Sequence, residues 1–172
     1  MLETEAILLR ACEPHDLPVM YEWENNTAYW LLSDTTKPFS KYTMQEFILQ
    51  DQNDIYNTRQ QRFVIQLKEN EKAIGFIDLY QYDPSHQRAG VGILIGDKTE
   101  RHKGYALMSL LCLMQYAHDV LNMHQLYCYI QTSNKKSIGL FQRAGFTTTG
   151  ILKDWLQSKN VFEDVILCQK KL

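Results

Sequence analysis

The chain has 172 residues, of which 45% are hydrophobic and 22% charged, and its formal net charge is -2. This length suits one globular domain that buries its own core without disulfides or a structural metal. The slight negative charge argues against a general nucleic-acid-binding protein, which would carry a basic excess.

The N-terminus and the cysteines predict a cytoplasmic protein that does not bind membranes. The first ten residues, MLETEAILLR, lack the basic segment of a signal peptide, and the longest apolar run is too short to span a bilayer. The five histidines are too dispersed to suggest zinc, so no metal is expected. The four cysteines have no regular spacing, which favours small buried residues in a reducing compartment. They are Cys12, Cys112, Cys128 and Cys168.

The first third of the chain predicts one strand and two helices. Residues 6–10 read as a strand, and residues 13–26 as a helix with apolar residues on one side. Residues 43–50 predict a second helix, because Thr43 and Glu46 have the spacing of a capping box. The segment between the two helices is expected to be irregular.

The rest of the chain predicts an antiparallel meander followed by alternating helices and strands. Three strands are expected at residues 62–67, 73–82 and 89–96, and further strands at 125–132, within TTTGIL and within VFEDVILCQ. A helix over about 103–120 has Leu107, Leu110, Leu111, Met114, Ala117 and Leu121 on one face. A short helix after Asn134 ends with Gly145 as its C′ residue. This order indicates a mixed α/β or α+β fold, with residues 1–172 as a single domain.

The junction before the long helix has the features of an anion site. The first N–H groups of a helix point outward with the positive end of the helix dipole behind them. Gly104 allows an anion to approach the backbone, and Arg101, His102 and Lys103 add donors and charge. Basic residues are unfavourable in a first turn unless an anion compensates them.

Two blocks of sequence resemble the GCN5-related N-acetyltransferases (GNAT). IGDKTERHKGYA resembles the acetyl-CoA motif of that family, Arg/Gln-x-x-Gly-x-Gly/Ala, at Arg101, Gly104 and Ala106. The second block is matched by Asn134, Ser137, Leu140, Phe141, Gly145 and Phe146. Spacing is similar to the branch that holds spermidine and ribosomal-protein N-acetyltransferases. The resemblance implies a mostly antiparallel sheet, splayed between strands 4 and 5 and flanked by about four helices.

The resemblance also implies which residues bind acetyl-CoA. The pantetheine arm would pair with strand 4, as an added strand would, at Ile93, Leu94 and Ile95. The remaining predicted cofactor-binding residues are Arg101, His102, Lys103, Gly104, Tyr105, Ala106, Asn134 and Phe141.

The resemblance leaves the acid and the base of the reaction open. Many relatives have a tyrosine general acid where this chain has Phe141, which cannot donate a proton. Family precedent assigns that role to the serine found here as Ser137, and the alternatives are Tyr127, Tyr129 or water. Asp78, which shares a strand face with Tyr80, is the candidate base.

The expected reaction is direct acetyl transfer to a primary amine of a polyamine-like or small molecule. Residues 13–54 are rich in acids, which would attract cations on the acceptor side or form a solvated helix face. Trp23, Tyr29 and Trp30 would add cation–π contacts or fill core. The alternatives are acetylation of a protein N-terminus and a non-catalytic acyl-CoA-binding module. A homo-oligomer is possible.

Overall fold

A computed structural model describes residues 2–33, 35–50, 54–158 and 161–172. Its centre is one seven-stranded sheet with the order β1-β2-β3-β4-β5-β7-β6. The strands are β1 (Ile7–Arg10), β2 (Gln61–Leu67), β3 (Ala73–Asp83), β4 (Arg88–Ile95), β5 (Gln125–Gln131), β6 (Thr147–Ser158) and β7 (Val161–Lys171). The helices are α1 (Leu17–Glu24), α2 (Thr27–Ser33), α3 (Lys41–Gln50), α4 (Ile55–Thr58), α5 (Tyr105–Asp119) and α6 (Lys135–Arg143). None of these helices is long and apolar enough to cross a membrane.

Alternating side chains give the sheet two apolar faces. One face carries Ile65, Ile77 and Val91 in the cluster that includes α5, and is called the α5 face below. The other carries Val64 and Phe76, which pack against α1 and α3, and is called the α1 face. Period-two alternation along β2, β3 and β4 therefore separates the two layers of helices.

The sheet parts between β4 and β5, as the sequence predicts. These two strands are parallel and pair only from Arg88 to Gly90 and from Gln125 to Tyr127. Beyond that point β4 continues to Ile95 while still paired with β3 on its other side. Residues Gly92–Ile95 are partly exposed although β4 is a central strand, because its neighbour has moved away.

The helical segments depart from the prediction in three places. The predicted helix 13–26 is shorter, since a 3-10 turn at Pro14–Asp16 precedes α1. Part of the segment predicted to be irregular forms α2. The capping box at Thr43 is wrong, because α3 begins two residues earlier and Ser40 Oγ accepts the Thr43 N–H at 3.0 Å.

The C-terminal half follows the sequence more closely. Helix α6 is followed by Gly145 with φ of +87°, as expected for a C′ glycine. One predicted core position of α5 is wrong: Leu111 is 49% exposed, whereas Leu110 and Leu113 are buried. All four cysteines are buried and free, as predicted.

We expect the substitution Gly96→Ala to destabilise the fold. A Cβ at Gly96 would lie 2.2 Å from Cδ2 of Trp23, whose indole ring covers this residue. Because Trp23 also packs edge-on against Phe76 at 5.1 Å, the ring cannot move without disturbing the core. Overpacking of this kind costs about 1–3 kcal/mol. Urea denaturation measures it, with Gly150→Ala as the control because no atom lies within 4 Å of that site.

Candidate active site

The N-terminus of α5 presents free main-chain donors. Gly104 is the N-cap residue, with φ of +90°, and provides no side-chain cap. The N–H groups of Leu107 and Met108 donate to the Gly104 carbonyl at 3.0 and 3.1 Å. Those of Tyr105 and Ala106 precede this first helical bond and have no acceptor within the helix. In α6, by contrast, Asn134 Oδ1 accepts the Ser137 N–H.

The basic residues before α5 have different surroundings. Arg101 turns back and donates from Nε and Nη2 to the Ile95 carbonyl at the end of β4, at 2.9 and 2.8 Å. It also donates to the Tyr29 hydroxyl. Lys103 pairs with Glu100 at 2.8 Å, and His102 is exposed with φ of +63°. In this conformation Arg101 braces the loop, and its guanidinium is not turned toward the helix N-terminus.

A basic cleft of about 630 Å³ lies beside this loop. It is lined by His102, Lys135, Lys136, Gly139, Gln142 and Arg143. The α6 members recur at i, i+1, i+4, i+7 and i+8, so they share one helix face. Sequence reasoning identified His102 but missed the cations of α6, which this spacing could have revealed.

These features fit acetyl-CoA. The uncapped α5 N-terminus suits a diphosphate, the basic cleft suits further phosphate, and the parted edge of β4 suits an amide-containing arm. The main chain of Gly104, Tyr105 and Ala106 would hold the diphosphate, and Ile93, Leu94 and Ile95 would pair with the arm. Bound there, the thioester supplies an activated acetyl group.

Asp78 and Tyr129 flank β4 on the α1 face. Asp78 lies directly opposite Gly92 in the β3–β4 pair. Gly90 of β4 pairs with Tyr127 of β5. Gly92 and Tyr129 lie two residues further along their strands, on the same face, where β4 and β5 have parted. Tyr129 is 47% exposed. The structure therefore brings the candidate base and one candidate acid to the same opening.

A partly buried arginine binds both carboxylate oxygens of Asp78. Arg62 on β2 donates from Nε and Nη2 to the two carboxylate oxygens of Asp78, at 2.7 and 3.0 Å, and from Nη1 to Glu24 of α1. Its guanidinium lies between the rings of Phe47 and Phe76, 5.2 and 5.0 Å from their centroids. Burial alone would lower the pKa of Arg62, but the two carboxylates raise it above its usual value. Sequence reasoning missed Arg62 and Glu24.

Three tyrosines form an edge-to-face row beside Gly92. The ring of Tyr80 lies 6.1 Å from that of Tyr127, which lies 5.7 Å from that of Tyr129. Burial raises the pKa of Tyr80 and of Tyr127. Tyr127 also donates to Gln81 Oε1 at 2.8 Å. The Tyr80 ring covers Gly90, where it would meet any Cβ.

The second sequence block lies in α6. Ser137 is half-buried in its first turn, where its N–H is capped by Asn134. Phe141 is 3% exposed and packs edge-on against Phe146 with centroids 5.0 Å apart. The structure thus places Phe141 in the core, so a direct contact between its ring and a cofactor remains a prediction.

Three acids of the acceptor-side segment bind other groups of the protein. Asp16 is buried against Arg10, Glu24 binds Arg62, and Asp54 Oδ1 accepts the Tyr56 N–H. Asp34 and Asp51, two further acids of that segment, lie outside the described residues.

The aromatic residues of the same segment also serve the fold. Trp23 is core, Trp30 Nε1 donates to the Glu24 carbonyl at 2.8 Å, and Tyr29 lies under Arg101 with the guanidinium 5.5 Å from the ring centroid. Of the three, Tyr29 alone makes a cation–π contact among those described, and its cation belongs to the protein.

Known proteins match this chain over most of its length. The family model described as acetyltransferase (GNAT) domain matches residues 6–147. The spermidine N(1)-acetyltransferase of Escherichia coli (strain K12) is 28% identical over 155 residues, which are 88% of this chain and 78% of that protein.

Solved structures of the Vibrio cholerae spermidine N-acetyltransferase share the fold. The complex with CoA and spermine has a TM-score of 0.84 at 24% identity, covering 98% of this chain and 96% of that one. A dodecameric structure in an intermediate state has a TM-score of 0.81 at 24% identity, covering 98% and 95%. Since the family model covers well over half of the sequence, the chain belongs to the GNAT acetyltransferases, enzymes that transfer an acetyl group from acetyl-CoA to an amine.

Proposed function

We propose that the acetyl acceptor is a primary amine of a polyamine-like or small molecule. The observation that carries this proposal is the 28% identity to the E. coli spermidine N(1)-acetyltransferase over 88% of the chain. The half-exposed phenol ring of Tyr129 and the Asp78 carboxylate, on opposite sides of β4, suit an alkylammonium group through the π face of the ring and the carboxylate charge.

The chemistry is direct substitution at the thioester carbonyl. The deprotonated amine nitrogen forms a C–N bond with the acetyl carbon, and the C–S bond breaks. The proton lost by the amine and the proton gained by the thiolate balance, giving an amide and free CoA thiol. An alkylamine has an ordinary pKa near ~10.4, so it needs help in losing its proton at neutral pH. A main-chain N–H of β4 near Leu94 would stabilise the carbonyl oxygen.

The roles of the side chains follow from their surroundings. Because both Asp78 oxygens accept from Arg62, this carboxylate is better suited to attract the ammonium form than to remove its proton unaided. A water molecule beside Asp78 would complete proton removal. Ser137 or Tyr129 would return a proton to the thiolate. Much of the acceleration should come from holding amine and thioester in line.

An acceptor screen that follows release of free CoA thiol tests the proposal. We expect turnover with spermidine and with short diamines, and little turnover with peptides that carry a free α-amino group. Turnover of a ribosomal-protein N-terminal peptide alone would overturn the amine proposal in favour of N-terminal acetylation. Background thiol release across the whole panel, with CoA still bound, would indicate the non-catalytic module.

We also propose that the chain self-associates, as the dodecameric V. cholerae enzyme does. The β6–β7 hairpin supports this, because it exposes large apolar side chains. These are Ile151, Trp155, Val161 and Phe162. Light scattering on a sizing column measures the mass, and a monomer at micromolar concentration would contradict the proposal.

Replacing Ser137 with alanine tests whether Ser137 or Tyr129 is the general acid. If its hydroxyl protonates the leaving thiolate, kcat falls by about 10²–10⁴ with little change in CoA affinity, because the Asn134 cap bonds to the main chain of residue 137. Tyr129→Phe is the matched variant for the alternative. Full activity of Ser137→Ala would remove this serine from the mechanism.

A further inference from the structure

The glycines around β4 differ in what a side chain would meet. A Cβ at Gly75 would lie 2.1 Å from the Leu94 carbonyl oxygen, and one at Gly90 would lie 2.3 Å from the Tyr80 ring. At Gly96 it would meet Trp23. At Gly92 the nearest atom is Tyr80 Cε1 at 3.9 Å, an ordinary van der Waals distance. The fold therefore requires glycine at the first three positions but leaves room for a side chain at Gly92.

Backbone conformation does not explain Gly92 either. The glycines with left-handed φ angles are Gly104 and Gly145. Gly92 lies within β4, in regular antiparallel register with Asp78. Glycine weakens a strand interior, since it loses more backbone freedom than other residues and packs no side chain. Neither packing nor φ accounts for a glycine here, so the space above it is the remaining feature to explain.

That space lies where the acceptor has to arrive. Gly92 is two residues beyond the last β4 residue paired with β5, so it borders the opening where the two strands part. On the α1 face the Tyr80 ring lies nearest to it, Asp78 lies opposite it on β3, and Tyr129 lies across the opening on β5. A side chain on Gly92 would project between this carboxylate and this phenol. The missing side chain thus leaves free space over β4, next to the Tyr80 ring and on the same face as Asp78 and Tyr129.

We propose that Gly92 is a specificity-determining residue, whose missing side chain admits the aminomethyl end of the acceptor across β4 to the parted strands. The inference rests on the proposed function and adds a substrate class to it. The space left by one missing side chain suits a primary amine on an unbranched methylene, as in spermidine or n-propylamine. It excludes an amine on a branched carbon, as in isopropylamine.

Gly92→Ala and Gly92→Val test this in the full chain, with Gly150→Ala as the matched control. Gly150 is also a strand glycine, without a left-handed φ, and a Cβ there would have no atom within 4 Å. Because the fold tolerates a Cβ at residue 92, we expect the Tm of Gly92→Ala to be unchanged or higher. Urea denaturation of Gly92→Val shows whether its larger side chain also leaves the fold intact. CoA affinity, measured by calorimetry, should stay within about twofold of the original.

Turnover and binding of the acceptor should both weaken in the Gly92 variants. We expect kcat/KM for spermidine to fall about tenfold or more with alanine, and further with valine, since one carbon in a fitted site commonly has such an effect. The loss should fall mainly on KM, and calorimetric binding of spermidine to the CoA-loaded protein should weaken in parallel. The original protein should prefer n-propylamine to isopropylamine.

Two results would contradict the Gly92 proposal, and a third would contradict the proposed function instead. Gly92→Val turning over spermidine as well as Gly150→Ala does would overturn it. If CoA binding weakens in the Gly92 variants, Gly92 contributes to binding of acetyl-CoA and not of the acceptor. That result would also overturn the proposal. A protein with glycine at 92 that acetylates no amine would refute the proposed function instead, before any variant is compared.

Discussion

Gly104→Glu is expected to weaken CoA binding by at least about 100-fold, because charge-assisted hydrogen bonds contribute about 1.5–3 kcal/mol each and 1.4 kcal/mol is tenfold in affinity. The carboxylate would occupy the approach to the Tyr105 and Ala106 N–H groups and repel a diphosphate. The folded protein has room for the new side chain, since a Cβ at Gly104 would meet only Met108 Cε at 3.9 Å. Titration calorimetry with CoA measures the loss.

The control is Gly104→Ala, because residue 104 has φ of +90° and any L residue is strained there. Such strain costs about 1–3 kcal/mol, so urea denaturation should show similar destabilisation in both variants. The difference in CoA affinity between alanine and glutamate then reports the carboxylate alone. Equal affinities for the two variants would show that the diphosphate does not bind at this helix N-terminus.

The strands and α5 could be predicted because the spacing of their apolar residues, every second residue in a strand and every three to four in a helix, distinguishes the two. The hairpin from β2 to β3 and the helix α5 all lie within about two residues of their predicted positions. The parting of β4 from β5 followed from the family resemblance, since period-two alternation does not show which neighbours a strand keeps. Gly145 was predictable from local geometry alone.

The first third of the chain was harder to predict because its helices are short and begin at local side-chain contacts that apolar periodicity does not reveal. Helix α2 follows Asn26, whose Oδ1 accepts the Ala28 N–H, and Trp30 is anchored to the Glu24 carbonyl. The capping box assigned to Thr43 had the right residue types at the wrong place, since the helix is capped by Ser40, whose third following residue is Thr43 and not Glu or Gln. A capping pattern with two candidate serine or threonine residues does not settle where a helix begins.

At the site, residue types were more predictable than their partners. A basic loop before α5 was expected to present three cations to an anion, yet Arg101 bonds to the Ile95 carbonyl, an acceptor invisible in a sequence. Asp78 was identified as a carboxylate near the opening, but its partner Arg62 lies 16 residues away across a hairpin. Pairings between strands depend on register, which composition does not specify.

We expect Arg62→Met to lower the free energy of unfolding by up to about 3–5 kcal/mol, the loss for one partner of a fully buried ion pair, because the side chains of Arg62, Asp78 and Glu24 are 14–20% exposed. In a domain of this size that corresponds to a fall in Tm of about 6–20 °C. The variant would leave Asp78 and Glu24 close together without the cation that both now bind. Thermal and urea denaturation measure the loss.

Arg88→Met is the control, because Arg88 is a strand arginine that pairs with Asp83 at 3.3 Å but is 48% exposed. Exposed pairs contribute about 0–1 kcal/mol, so this variant should unfold near the original midpoint. Adding Asp78→Asn to Arg62→Met should recover part of the stability, since one unpaired carboxylate is then neutral. Equal losses for Arg62→Met and Arg88→Met would show that the Arg62 pairs are no stronger than surface pairs. In that case the link from α1 to the Asp78 side of the opening would not be rigid.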